Sequence, residues 1–177
     1  MKKWMWTLAA LTGAGTAVLA AMGLLRSAAG ITLGTCFYHF AMRLAVGYGM
    51  LLLPRRFDAA KGWFAQKKWE KKLYRQLRVK RWKERVPTFN PGDFDLGKHP
   101  PQEIVQTMCV SEVVHEVNMA LSFVPLLFAA VVGALPVFLV TSIAAAGYDG
   151  MFAVLQRYNR PRMMHLAERA QRREKVM

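Results

Sequence analysis

Read as a bare sequence, the chain predicts an all-α fold: a polytopic integral membrane helical bundle of about four transmembrane helices in two hairpins, with an amphipathic interfacial helix between the hairpins in sequence. Three observations predict it. Apolar side chains make up 54% of the 177 residues, yet they are gathered into blocks instead of being spread through the chain. Each of four blocks is close to the roughly 20 residues that a helix needs to cross the hydrocarbon core. Lys and Arg fall almost entirely outside those blocks. Separate segments can satisfy their own backbone in lipid only as helices.

The first block runs from Trp4 to Leu25. Lys2-Lys3 ahead of it and the small residues near Ala20 and Ala28 also fit a cleaved signal peptide, but the apolar run is longer than a signal core, which favours a retained helix. The second block runs from Ile31 to Leu53, with Gly30 and Gly34 punctuating the first hairpin. The third covers about Ile104 to Gly133 and the fourth Leu135 to Leu155, with Gly133-Ala134-Leu135-Pro136 between them. The organisation expected is a hairpin over 1–54, a basic segment over 55–103, a second hairpin over 104–156 and a basic tail over 157–177.

The net charge of +14 is not that of a nucleic-acid binder, because a soluble basic domain does not carry aliphatic runs of this length. Fourteen basic residues lie between Arg55 and Lys98 and seven between Arg157 and Lys175, whereas the two outer turns hold only Arg26. The positive-inside rule then puts both termini and the central segment on the cytoplasmic side of the cell membrane, in a multi-pass topology. Cys36 and Cys109 both fall in or beside apolar segments and define no disulfide.

In the central segment Trp69, Leu73 and Leu77 recur at i, i+4, i+8 among Lys67, Lys68, Lys71, Lys72, Arg75 and Arg78. One apolar stripe in a field of charge describes a helix lying in the headgroup plane. Its charges suit two roles that do not exclude each other. They can anchor the segment to anionic membrane lipids, or they can capture a phosphate-bearing substrate such as the nucleotide end of coenzyme A. Past Pro87, Thr88-Phe89-Asn90-Pro91-Gly92-Asp93 reads as turns, and His99 in the loop after it reads as a solvated histidine. The chain has no glycine-rich phosphate loop and no paired Cys or His at zinc-site spacing.

The chemistry-bearing residues sit at the start of the third block, in Glu112-Val113-Val114-His115-Glu116. Ionisable groups in hydrocarbon are costly and need a reason. On a helix Glu112 neighbours both His115 and Glu116. A carboxylate beside an imidazole fixes its tautomer and supports proton abstraction from an alcohol. The chemistry would be acyl transfer from a thioester to a hydroxyl, with His115 as base and Glu112 as its orienter. Asn118, Asn159, Arg157 and Arg160 are candidates to stabilise the oxyanion. Two other readings stay open: a structural ion pair with arginines, or a metal ligand, since Glu-x-x-His is half of a di-iron site. No second copy of that step exists, and no metal or organic cofactor is expected beyond an acyl-CoA or acyl-carrier-protein co-substrate. Arg43 in the second block reads as a structural partner of Asp149 or Glu112.

The pattern Trp69-Glu70, Tyr74, Val79-Lys80, Trp82-Lys83 and Pro87, then Glu112-x-x-His115, then Gln156-Arg157-Tyr158-Asn159-Arg160-Pro161-Arg162 resembles the glycosyl-diaponeurosporenoate acyltransferases. The closing seven-residue run is the most specific part. The resemblance implies a membrane acyltransferase that esterifies a sugar hydroxyl on a glycosylated lipid acceptor such as a carotenoid glucoside, with an acyl thioester as donor. The candidate substrate-binding residues are Glu116, Arg157, Tyr158, Asn159, Arg160, Arg162, Trp69, Glu70, Lys80, Trp82 and Lys83. Family members often carry a further acid just upstream of the Glu-x-x-His step, where this chain has Gln106-Thr107. A protein of a different class, binding anionic lipid or a protein partner through its basic segment without catalysis, would also carry the charges between Lys67 and Lys83.

Overall fold

The computed structural model describes residues 2–52, 57–60, 62–86 and 90–175. The end of the second apolar block at Leu53, the first basic residue Arg55 and the Pro87-Thr88-Phe89 stretch lie outside the described residues. All regular structure among the described residues is helical. The α-helices are α1 (Lys2–Ala21), α2 (Ala28–Leu51), α3 (Glu70–Gln76), α4 (Val79–Trp82), α5 (Pro101–Leu121), α6 (Ala129–Val132) and α7 (Leu135–Glu174).

Three helical stretches are long and apolar enough to cross a membrane: Lys3–Ala21, Pro101–Val132 and Leu135–Arg173. The second of the four expected spans forms the 24-residue helix α2 but is not among them. His39 and Arg43 lie inside it and lower its apolarity. The fourth expected span does not stop near Leu155. Helix α7 runs on through Pro161 to Glu174.

The chain divides into two compact units, Met1–Leu53 with Val114–Gly150, and Pro54–Val113 with Met151–Met177. The boundaries fall inside α5 and α7. The second unit holds every Lys and Arg except Lys2, Lys3, Arg26 and Arg43, so the first is called the apolar unit and the second the basic unit.

In the apolar unit α1 and α2 form a hairpin whose turn lies at Gly23 (φ 72°), ahead of the expected Gly30 and Gly34. Ser27 caps α2 by accepting from the Gly30 N–H at 3.1 Å. Gly30 is needed for close approach, because a Cβ there would lie 2.5 Å from the Leu24 and Leu25 carbonyl oxygens. Gly13 and Gly15 in α1 face the Phe37 ring and the Leu33 side chain of α2 in the same close-packed way. At the other turn Gly133 (φ 78°) and Ala134 (φ 55°) separate α6 from α7, as the Gly-Ala-Leu-Pro signal predicted.

This unit buries polar groups among its apolar ones and exposes large apolar side chains. It buries Thr35, His39, Asn118, Ser122, Ser142 and Asp149, while Leu127, Val131, Val140 and Ile143 are each more than half exposed. That arrangement suits a lipid environment, in which outward leucines and valines cost nothing and polar groups must find partners within the bundle. The chain is a membrane protein.

In the basic unit Ala59, Phe64, Val105 and Cys109 form a small core, with Phe57, Met163 and Ala167 packed against it. The expected single amphipathic helix is two short ones, broken at Arg78, which adopts a left-handed conformation (φ 51°). Their buried side chains are Glu70, Tyr74 and Val79, while Trp69 and Leu77 stay exposed. An outward Trp69 and Leu77 beside lysines fits interfacial contact with lipid. Both cysteines are free.

Candidate functional site

In the apolar unit three side chains from α2 and α5 converge on Asp149 of α7, which is 1% exposed. His115 of α5 places Nδ1 3.0 Å from Asp149 Oδ1. Arg43 of α2 donates from Nη2 to Asp149 Oδ2 at 2.5 Å and to the Ala145 carbonyl at 3.1 Å. Asn118, one turn on from His115, donates more weakly to Asp149 Oδ1 at 3.4 Å. Two further bonds steady these helices. Tyr38 donates to the Leu121 carbonyl at the end of α5 at 2.8 Å, and Ser122 donates to the Asn118 carbonyl.

Asp149 is therefore the carboxylate bonded to the His115 ring, where the sequence pointed to Glu112. The helical spacing of Glu112 and His115 made that pairing available, but partners reaching in from α7 decided it. The expected Arg43–Asp149 pair is present. A ring that donates from Nδ1 to a carboxylate offers Nε2 as its proton-accepting atom. Arg43 and Asp149 cancel each other's charge, so the cluster can stand in an apolar setting without a net charge.

Glu112, fully buried, belongs to the basic unit and is clamped by two arginines of α7. Arg157 donates from Nη1 to Glu112 Oε1 at 2.7 Å, and Arg160 donates from Nη1 to Oε2. The same guanidinium groups reach the central segment. Arg157 Nη2 donates to Glu70 Oε1 at 2.8 Å and to the Trp63 carbonyl at 2.9 Å, and Arg160 Nη2 donates to the Phe64 carbonyl at 2.5 Å. Tyr74 closes the network by donating to Glu70 Oε2 at 2.9 Å. Burial, together with this bond to a carboxylate, pushes the Tyr74 phenol above its ordinary range.

Two carboxylates and two guanidinium groups balance, and each arginine is bonded on both sides. Glu70, Glu112, Arg157 and Arg160 thus tie the central segment to α5 and α7 within the unit. This is a positioning network more than an open binding surface. Gln106 makes a two-point contact with Phe57. It accepts from the Phe57 N–H at 2.8 Å and donates to the Phe57 carbonyl at 2.7 Å. A carboxylate could make only the first of these bonds.

The remaining expected site residues are spread over the basic unit, except Glu116, which is half-buried on α5 in the apolar unit. Tyr158 stacks edge-on against Tyr74 at 5.4 Å, and the Lys83 ammonium lies 5.7 Å from the Tyr158 ring. Trp82 donates to the Leu77 carbonyl at 2.9 Å, whereas Trp69 and Lys80 are exposed. A cleft of about 360 Å³ is lined by Lys83, by Ile104 and Met108 of α5, and by Gln156, Asn159 and Arg162 of α7. No group of three His, Cys, Asp or Glu among the described residues could hold a metal ion.

The fold and the two clusters define a helical membrane protein with a His–Asp–Arg constellation in its apolar unit and an arginine clamp in its basic unit. Residues 60–169 match the sequence profile of the glycosyl-4,4'-diaponeurosporenoate acyltransferases. This is more than half of the chain, and the chain belongs to that acyltransferase family. No curated protein and no solved structure matches it.

Proposed function

We propose that the protein transfers a fatty acyl group from a thioester donor to a hydroxyl of a glycosylated lipid, with His115 as general base and Asp149 as its orienter. The observation that carries this reading is the His115–Asp149–Arg43 constellation, centred on the buried Asp149 in a unit that exposes leucines, valines and isoleucine. Family membership supports the reaction class.

The acceptor hydroxyl gives its proton to His115 Nε2 as its oxygen attacks the thioester carbonyl. The C–O bond forms, the C–S bond breaks, and the proton passes on to the departing thiolate, so that an ester and a free thiol result. Asp149 holds the ring in the productive tautomer and balances the imidazolium formed on the way. No cofactor is required in this scheme.

The distribution of Lys and Arg supports a cytoplasmic basic unit, with both termini cytoplasmic in the cell membrane. Acyl thioesters are met on that side. The test is incubation of the purified protein in nanodiscs with radiolabelled palmitoyl-CoA and a glucosyl lipid. A labelled ester and stoichiometric free thiol are expected. Absence of ester across a panel of glycosylated lipids, with the protein folded, would overturn the reading.

A further inference from the structure

The Gln156–Arg162 run of α7 presents two faces. Arg157 and Arg160 turn to Glu112, whereas Gln156, Asn159 and Arg162, spaced by three, line the cleft together with Lys83. Gln156 is 8% exposed, Asn159 is half-buried and Arg162 stands exposed at the other end, over about 9 Å of helix. The bonds from Gln102 to the Ala167 carbonyl and from Arg157 to Glu112 set α5 beside α7 in antiparallel register, so that Ile104 and Met108 flank the Arg162 end.

None of the four polar lining side chains forms a hydrogen bond or ion pair among the described residues, apart from the contact of the Lys83 ammonium with the Tyr158 ring. For Gln156 this is costly, because a buried amide without partners forfeits the bonds that water gave it in the unfolded chain. The two cations meet no acidic lining residue, and the rest of the lining is apolar. At about 30 Å³ for each water-sized group, a volume of about 360 Å³ takes roughly a dozen non-hydrogen atoms. That is too little for a nucleotide.

We infer that the cleft binds a small phosphorylated polyol of glycerol phosphate size, its phosphate held by Arg162 and Lys83 and its hydroxyls by Gln156 and Asn159. Charge, hydrogen-bonding capacity and volume select this class. Two cations without a carboxylate of their own call for an anion, and phosphate oxygens suit a guanidinium fork. An amide both donates and accepts, and a hydroxyl answers both needs. Glycerol phosphate, with about ten non-hydrogen atoms, lies within the volume. A hydrocarbon chain is disfavoured by Gln156, whose amide it would seal off without a partner. The headgroup of phosphatidylglycerol and a soluble polyol phosphate offer this same chemistry. The site stands whether or not His115 acts as a base.

The probe is sn-glycerol 3-phosphate, added to the full chain in phosphatidylcholine nanodiscs, with the unfolding temperature followed against concentration. A saturable rise is expected with a Kd of about 1 mM or below, whereas glycerol and inorganic phosphate supplied together should bind at least about tenfold more weakly. Arg162→Glu, at an exposed position, should raise the Kd at least about tenfold. Gln156→Leu removes an amide that bonds nothing in the protein, and this variant should bind glycerol 3-phosphate no better than inorganic phosphate. Nanodiscs of equal parts phosphatidylcholine and phosphatidylglycerol separate the two sources. A raised unfolding temperature with no further response to glycerol 3-phosphate assigns the headgroup, and an unchanged temperature with the full response assigns the soluble compound.

Inorganic phosphate alone matching glycerol 3-phosphate, a wild-type response in either Arg162→Glu or Gln156→Leu, or a larger rise with decanoate, a chain of similar volume, would each overturn the inference.

Discussion

His115 Nδ1 lies 3.0 Å from Asp149 Oδ1, and the other oxygen of Asp149 is held by Arg43. One carboxylate thus serves a ring that can exchange a proton and a cation that cannot. The two roles separate experimentally. Asp149→Asn keeps the shape but loses the charge that balances Arg43 and fixes the tautomer. Turnover per folded molecule should fall by roughly a hundredfold or more. Arg43→Met leaves a buried carboxylate without its counter-ion and should cost about 3–5 kcal/mol in stability. The double variant Arg43→Met/Asp149→Asn should regain much of that stability without regaining turnover, as read by thermal unfolding and ester formation on the same samples.

Glu112→Gln should act on folding more than on chemistry. The fully buried carboxylate balances Arg157 and Arg160, and its loss leaves those guanidinium groups undercompensated at a cost of about 3–5 kcal/mol. Yield and unfolding temperature should drop, while turnover per folded molecule should fall far less than in His115→Gln. A turnover loss equal to that of His115→Gln at unchanged stability would return Glu112 to the catalytic set.

Gln106→Glu places an acid just upstream of the Glu-x-x-His step. The new carboxylate can still accept from the Phe57 N–H but cannot donate to its carbonyl. A destabilisation of about 1–3 kcal/mol is expected, with no gain in turnover. Thermal unfolding and an ester assay check both parts.

Tyr74→Phe should cost about 1 kcal/mol, the worth of one hydrogen bond to Glu70. The Tyr74 pKa is raised on folding, so the phenol binds its proton more tightly in the folded state. Its contribution is fully present at neutral pH, below the ordinary tyrosine value of about 10. It is lost as pH climbs from there through the higher folded value. The gap in stability between wild type and Tyr74→Phe should therefore be constant from pH 6 to about 9 and shrink only above that.

Much of the architecture was legible because it rests on local pattern. Apolar blocks, the Gly133-Ala134 turn and the distribution of Lys and Arg need no long-range information. The failures are instructive in physical terms. Glu112 and His115 are neighbours on one helix, which suggested a pair. Arg157 and Arg160, 45 and 48 residues further on, compete for that carboxylate, and Asp149, 34 residues away from His115, takes the ring. No local spacing predicts such partners. Arg78 carries no glycine-like signal for its left-handed conformation, so the break between α3 and α4 was hidden. The 3.6-residue period also puts Arg157 and Arg160 on a different face of α7 from Gln156, Asn159 and Arg162, a division that a seven-residue motif along the chain does not display.

The most direct test of the central claim compares total lipids, by mass spectrometry, from cells producing the wild type and His115→Gln, with both proteins quantified in the membrane. The account predicts an acylated glycolipid present with the wild type and reduced at least a hundredfold with the variant at equal protein. The same ester at wild-type level in His115→Gln would contradict the assignment of His115 as the base.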